Sequence, residues 1–163
     1  MPPRDGHQLR PSRRRRVTAS SSLRVALASA DTSWLIAGEK DRRKAMAHLK
    51  ALSDAGQVLT GTPGVIVEAM RRCNNLPAMQ HLVSLLQPQD TTLADGIRAA
   101  ELLHLAGKYT GTPHKTIHQI SAVDALVAAV AERLNGTIYT QDPTDMELLR
   151  NAGAMIDPVR VPF

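Results

Sequence analysis

The chain reads as an α/β protein with a central, mostly parallel sheet of about four to five short strands flanked by helices. Three observations predict this. β-favouring runs recur at 23–30, 57–61 and 137–140. Between and after them come segments whose apolar residues fall at helical spacing, and such alternation builds parallel sheets. The length, 163 residues, suits about one domain with a sizeable buried core.

The elements follow in order. "LRVALASA" (23–30) is a strand that ends at Asp31. Residues 41–55 form a helix, with Met46, Leu49 and Leu52 spaced by three and Gly56 as its stop. "QVLTG" (57–61) is a second strand, and Thr62-Pro63 opens a helix through Glu68 and Met70. Residues 78–86 place Met79, Leu82, Leu85 and Leu86 on one helical face. The helices at 41–55 and 78–86 thus carry Met and Leu faces for core packing or for a groove. Residues 92–107 are helical, with Thr92 and Asp95 as a capping box. The polar, turn-rich stretch 108–120 reads as a loop. "SAVDALVAAVAERL" (121–134) is the most apolar helix and therefore a central one, and Asn135-Gly136 turns the chain into the strand 137–140. A last helix spans about 143–152, and the closing "VRVPF" supplies an edge strand.

Charge divides the chain into a basic leader, 1–22, and a folded domain, 23–163. The leader holds six arginines against one aspartate, so it carries the whole net charge of +5 and the remainder is neutral. Its Pro, Arg and Ser content and lack of periodicity predict disorder and, at most, an electrostatic hold on nucleic acid. "RRRR" before "VTASSSLRVALASA" faintly resembles a secretion signal, but three serines and Arg24 interrupt the apolar stretch. No run reaches the ~18 apolar residues of a membrane span. Aromatics make up 2%, which argues against binding nucleic acid mainly by base stacking. The lone Cys73 gives no intramolecular disulfide framework and suits a reducing, cytoplasmic setting.

The chemistry suggested by the sequence rests on acids. In an open parallel sheet, ligands bind beyond the carboxyl ends of the strands. Asp31 directly follows the first strand, Asp142 follows 137–140, and Glu68 lies on the helix entered from 57–61. Asp124 is near the start of the central helix. Each has a structural explanation. Asp31 suits a turn or N-cap, Glu68 a solvated helix face, and Asp124 a capping box with Ser121. Asp142 with Pro143 suits a helix start, with Asp145 in the first turn. Together they point further, because clustered carboxylates repel unless a cation joins them. Oxygen-only ligands suit Mg²⁺ or Mn²⁺, whose chemistry on a phosphodiester is hydrolysis.

The stretches "ADTSWLIA" (30–37), "VLTGTPGVIVEAMR" (58–71), "SAVDALVAAVAERLNGTIYTQDPTDMELL" (121–149) and "VRVPF" resemble the PIN-domain ribonucleases, in particular the VapC-type toxins of VapBC toxin–antitoxin pairs. The resemblance covers about 23–163 and is most specific in the third stretch. It implies a PIN-like fold and maps the family's acidic quartet onto Asp31, Glu68, Asp124 and Asp142. Asp145 matches a further acid of some members. Thr32 or Ser33 matches the hydroxyl after the first acid, and Thr140 the polar residue before the fourth. It implies a Mg²⁺- or Mn²⁺-dependent endoribonuclease acting on structured RNA of the tRNA or rRNA class. It also implies a homodimer and neutralisation by a VapB-type antitoxin. The basic leader is outside the family pattern, and Trp34 is bulkier than the usual residue at its place. The rival expectations are a non-catalytic nucleic-acid-binding PIN-like protein and a housekeeping RNase. A receiver-type phospho-acceptor would need an acidic pair after the first strand, and "GTPG" (61–64) lacks the lysine of a phosphate-binding loop.

Overall fold

The structure is a computed structural model that describes residues 25–110, 120–161 and 163. The leader 1–22 and most of the expected loop at 108–120 lie outside the described residues. Five strands form one sheet, every pair parallel: β1 (Ala26–Ala30), β2 (Gln57–Gly61), β3 (Gln87–Pro88), β4 (Thr137–Thr140) and β5 (Asp157–Arg160), in the order β3-β2-β1-β4-β5. Seven helices are described: α1 (Thr32–Lys40), α2 (Arg42–Asp54), α3 (Pro63–Arg72), α4 (Leu76–Ser84), α5 (Leu93–Tyr109), α6 (Ala122–Leu134) and α7 (Thr144–Asn151).

The strand order positions the site. From β1 the chain builds outward through β2 to β3, then returns to lay β4 on the other side of β1. Ser29 pairs with Ile138 and Ala30 with Tyr139, and the Asp31 N–H donates to the Tyr139 carbonyl at 3.3 Å. The β1–β4 seam is therefore the topological switch point, where a crevice opens beyond the strand ends.

The core explains the helices around the sheet. In α6, Ala125, Val127, Ala128, Ala129, Val130 and Ala131 are all buried, as a helix apolar on every side requires. It packs against β1, β4 and α5. Polar ties hold α5 to α6. Asp95 of the Thr92 capping box accepts from Arg133 at 3.0 Å, and Arg98 donates to Glu132 at 2.8 and 3.0 Å. Leu52, Met79 and Leu82 go into the core, so the apolar faces of α2 and α4 serve mainly packing. Met46 and Leu85 stay 39% and 38% exposed.

Four local expectations are corrected. A helix, α1, starts immediately after Asp31, so that of the turn and N-cap readings of Asp31 the N-cap stands, although the sequence reading places no helix over 32–40. At Gly38, an added Cβ would lie 3.1 Å from Ala45 Cβ and 3.3 Å from Leu82 Cδ1. The missing side chain is thus what lets α1 sit close to α2 and α4. The two-residue edge strand β3 is too short to show as a pattern. Asp142 is not the N-cap of α7. Pro143 occupies that place without a side-chain cap, and the helix begins at Thr144. The final strand is "DPVR" (157–160), earlier than "VRVPF".

Candidate active site

Asp31 terminates β1 and caps α1. Its Oδ1 accepts the Trp34 N–H at 2.8 Å, an ordinary N-cap bond. Unlike an ordinary cap it is 5% exposed. Ser33 Oγ lies 2.8 and 2.9 Å from its two oxygens and donates to them. Ser33 Oγ also accepts the Gln141 N–H at 2.8 Å and stands 3.1 Å from Thr140 Oγ1. Thr140 Oγ1 in turn accepts from the Asp142 N–H at 3.1 Å. A chain of hydroxyls thus joins the end of β1 to the end of β4, so both hydroxyl positions named from the resemblance, Ser33 and Thr140, bear on Asp31.

The other acids arrive from three more elements. Glu68, on α3, accepts from Thr32 Oγ1 at 3.0 Å and from Arg72 Nη1 at 3.2 Å. Asp124 forms the expected capping box: Ser121 Oγ donates to its Oδ2 at 2.7 Å and accepts the Asp124 N–H at 3.0 Å. Both bonds from Ser121 to the carboxylate, from its hydroxyl and its N–H, use Oδ2. Asp142 is exposed and accepts from Thr144 Oγ1 at 2.6 Å. Asp145, half-buried in the first turn of α7, makes no capping bond there. All five carboxylates line one cavity of about 270 Å³, walled also by Thr32, Ser33, Arg72 and the buried Met146.

The electrostatics follow from burial. Loss of water pushes the Asp31 carboxyl up to about 6 from its usual 3.8, against the hydrogen bonds of Thr140, Trp34 and Ser33, and the charge of Asp124 adds to the rise. Burial raises Asp124 as well. The Ser121 bonds oppose that rise, while Glu68 raises it further and Arg72 lowers it. Asp145 is raised by burial and then by the charges of Asp124 and Asp142. It therefore belongs to the cluster, which the cap explanation of Asp145 does not account for. Asp142 is instead lowered, by its bonds from Thr144.

Crowded, partly desolvated carboxylates with raised affinities for protons are the arrangement a cation relieves. The donor set is all oxygen, as hard divalent ions prefer. Among the described residues no three His, Cys, Asp or Glu side chains form a group spaced to hold a metal ion. Such an ion would need water to complete its shell, which Mg²⁺ commonly retains. His114 and His118, four residues apart, lie outside the described residues. Arg72 is the residue the sequence reading misses. The signal was present, since Glu68 and Arg72 stand four apart on one helix, the spacing of a facing ion pair.

No protein-family model matches the chain, and no curated protein does. Solved structures do match. One is the crystal structure of VapBC2 from Rickettsia felis bound to a DNA fragment from their promoter; the match has a TM-score of 0.62 at 15% identity and covers 83% of this chain and 99% of that one. The fold is PIN-like. In this PIN-like sheet the acids of β1, α3, α6 and the β4–α7 turn meet at the switch point, where the strand order alone places a ligand crevice. Among the described residues no helix is long and apolar enough to cross a membrane.

Proposed function

We propose that this protein is a Mg²⁺- or Mn²⁺-dependent endoribonuclease of the VapC type, the toxin of a toxin–antitoxin pair, acting in the cytoplasm on RNA of the tRNA or rRNA class. One observation carries this reading: five carboxylates from separate parts of the chain share one small cavity at the β1–β4 switch point. Asp31, Glu68, Asp124 and Asp142 are the metal-holding and catalytic acids, with Asp145 as a further ligand. A bound divalent ion would supply Lewis-acid stabilisation of a phosphodiester and lower the pKa of an attacking water. The chain's own residues prepare the site. Ser33 and Thr140 orient the Asp31 carboxylate, Thr32 orients Glu68, and Ser121 fixes Asp124 through one oxygen. In the metal-free cavity Asp31 is mostly protonated below about pH 6, so a cation must displace that proton to bind there.

The test is cleavage of total RNA by purified protein across pH 5–8, with Mg²⁺ or Mn²⁺ and with EDTA. Cleavage is expected only with metal. At limiting metal it should rise about tenfold between pH 5 and pH 7, as Asp31 passes from mostly protonated to mostly ionised. Cleavage undiminished by EDTA overturns the proposal.

A second reading, a non-catalytic nucleic-acid-binding protein of the same fold, is favoured by one feature. Most of the acids are already engaged by hydroxyls or by Arg72, with no ready-made metal cage. Such a binder keeps its affinity in EDTA and loses it with salt, with no turnover in any metal.

The similar structure is a VapBC2 complex, and from that likeness we infer a VapB-type antitoxin partner; a homodimeric toxin is proposed on the sequence resemblance alone. An arginine from the antitoxin would pair with the acidic cavity, since a guanidinium binds carboxylates bidentately. Co-expression with the adjacent small reading frame is expected to give a stable complex with suppressed cleavage. Replacing the partner's cavity-facing Arg with Ala should restore cleavage. Lack of any complex leaves the housekeeping RNase as the reading.

A further inference from the structure

A second cavity, of about 370 Å³, adjoins the acidic one, and Ser33 and Arg72 line both. Its character is the opposite. Lys40 at the end of α1, Lys44 in the first turn of α2 and Arg72 at the end of α3 face it, against one acid, Asp41. Asp41 is already occupied: it caps α2 through the Lys44 N–H at 3.2 Å and pairs with Lys44 Nζ at 3.3 Å. The cations are accessible, with the Lys44 and Arg72 side chains 52% and 57% exposed. Ile36 and Phe163 supply an apolar wall.

We propose that this basic cavity binds the phosphate of the nucleotide next to the scissile one, so that the RNA chain crosses from the acidic cavity over Ser33 and Arg72 into it. The inference rests on the nuclease reading and names how its substrate is held. Three facts support it. The two cavities share a wall, so a chain occupying one is led into the other. The acidic cavity accepts a phosphate only with a cation present, whereas the neighbouring phosphate must find its positive charge on the protein, and Lys40, Lys44 and Arg72 against Asp41 leave this cavity a net two positive charges once Lys44 is set against Asp41. Arg72 stands between the two sites and is tied to Glu68 by a single 3.2 Å contact, so it can exchange that partner for a phosphate oxygen. An acidic protein segment is the poorer fit, since its path would continue into five carboxylates.

The experiment uses the full chain carrying Asp124→Asn, so that RNA is bound and not cut. A labelled single-stranded RNA of about 12 nucleotides is titrated in Mg²⁺ at 50–200 mM NaCl, within the range over which counterion release is readily measured. Adding Lys40→Ala and Lys44→Ala is expected to weaken binding about tenfold at the lowest salt. It should also flatten the slope of log K against log salt by about 1.4, roughly 0.7 for each lost phosphate contact. Adding Lys50→Ala and Lys108→Ala instead should change neither. In the cleaving protein, the Lys40/Lys44 pair should raise KM and leave kcat. An unchanged slope, or an equal effect from the Lys50/Lys108 pair, overturns the proposal. So does loss of a protein complex while RNA binding is untouched. Failure of the unaltered protein to cleave RNA sinks the nuclease reading instead and leaves the binding measurement to be judged by itself.

Discussion

Asp31→Asn is expected to abolish RNA cleavage, by a factor on the order of a thousand, and at the same time to raise the melting temperature of the metal-free protein at pH 8. The two effects have one cause. The carboxyl of Asp31 is pushed up to about 6 in the folded chain by burial, from an ordinary 3.8. The folded state therefore holds this proton more tightly than the unfolded state. Its contribution is favourable below pH 4 and is lost as pH rises from about 4 to 6. Above that, the buried anion costs about 3 kcal/mol, taking 1.36 kcal/mol for each pH unit. Asparagine escapes this cost and still caps α1, since an amide oxygen can accept the Trp34 N–H and the Ser33 hydroxyl. The gain at pH 8 in EDTA should reach about 5–10 °C for a chain of this size, and it should vanish at pH 4. Calorimetry at the two pH values, with and without Mg²⁺, checks this. Metal should raise the melting temperature of the unaltered protein and leave that of the variant in place. A variant less stable at both pH values would make Asp31 a structural anchor instead.

Gly136→Ala is expected to cost about 3 kcal/mol, a large part of the roughly 5–15 kcal/mol that holds a domain together. Gly136 has φ +86, where a side chain is strained. A Cβ there would also stand 2.7 Å from the Met155 carbonyl oxygen, a backbone atom that cannot rotate away. Relief by movement would pull Gly136 from Asp157, whose N–H donates to the Gly136 carbonyl at 2.6 Å and starts the seating of β5 on β4. The neighbouring Asn135, at φ +115, serves as the control. Asn135→Gly removes strain and should leave stability level or slightly higher. Urea unfolding measures both. A loss below about 1 kcal/mol for Gly136→Ala would mean that the β4–β5 junction yields.

Much of the local structure was legible because its causes are local. The bounds of β2 and β4, the capping boxes at Thr92 and Ser121 and the Asn135-Gly136 turn depend on residues within a few positions of one another, and they stand where the pattern puts them. Helix α1 was not legible. Its short run "TSWLIAGEK" includes a threonine and a glycine, poor helix formers in isolation, and it is held as a helix by Trp34 and Leu35 in the core and by the close approach at Gly38. The Asp142 cap was misread because Asp142 and Pro143 both suit a helix start, and only the first helical hydrogen bond, from the Glu147 N–H to the Pro143 carbonyl at 2.7 Å, shows which of them takes it.

For the acids, the sequence by itself determined that Asp31 and Asp142 follow strand ends, that Glu68 is on a helix, and that Asp124 is tied to Ser121. It did not contain the reason they meet. That reason is the order of the sheet: β4 lies against β1 although more than 100 residues separate them, while β2, much closer in sequence, takes the other side. Pairing between distant strands is decided by how the whole core packs, not by any short pattern. So the raised pKa of Asp31, the inclusion of Asp145 in the cluster and the place of Arg72 between an acidic and a basic cavity all came from tertiary structure, because burial and the charges of distant neighbours exist only once the sheet has closed around them.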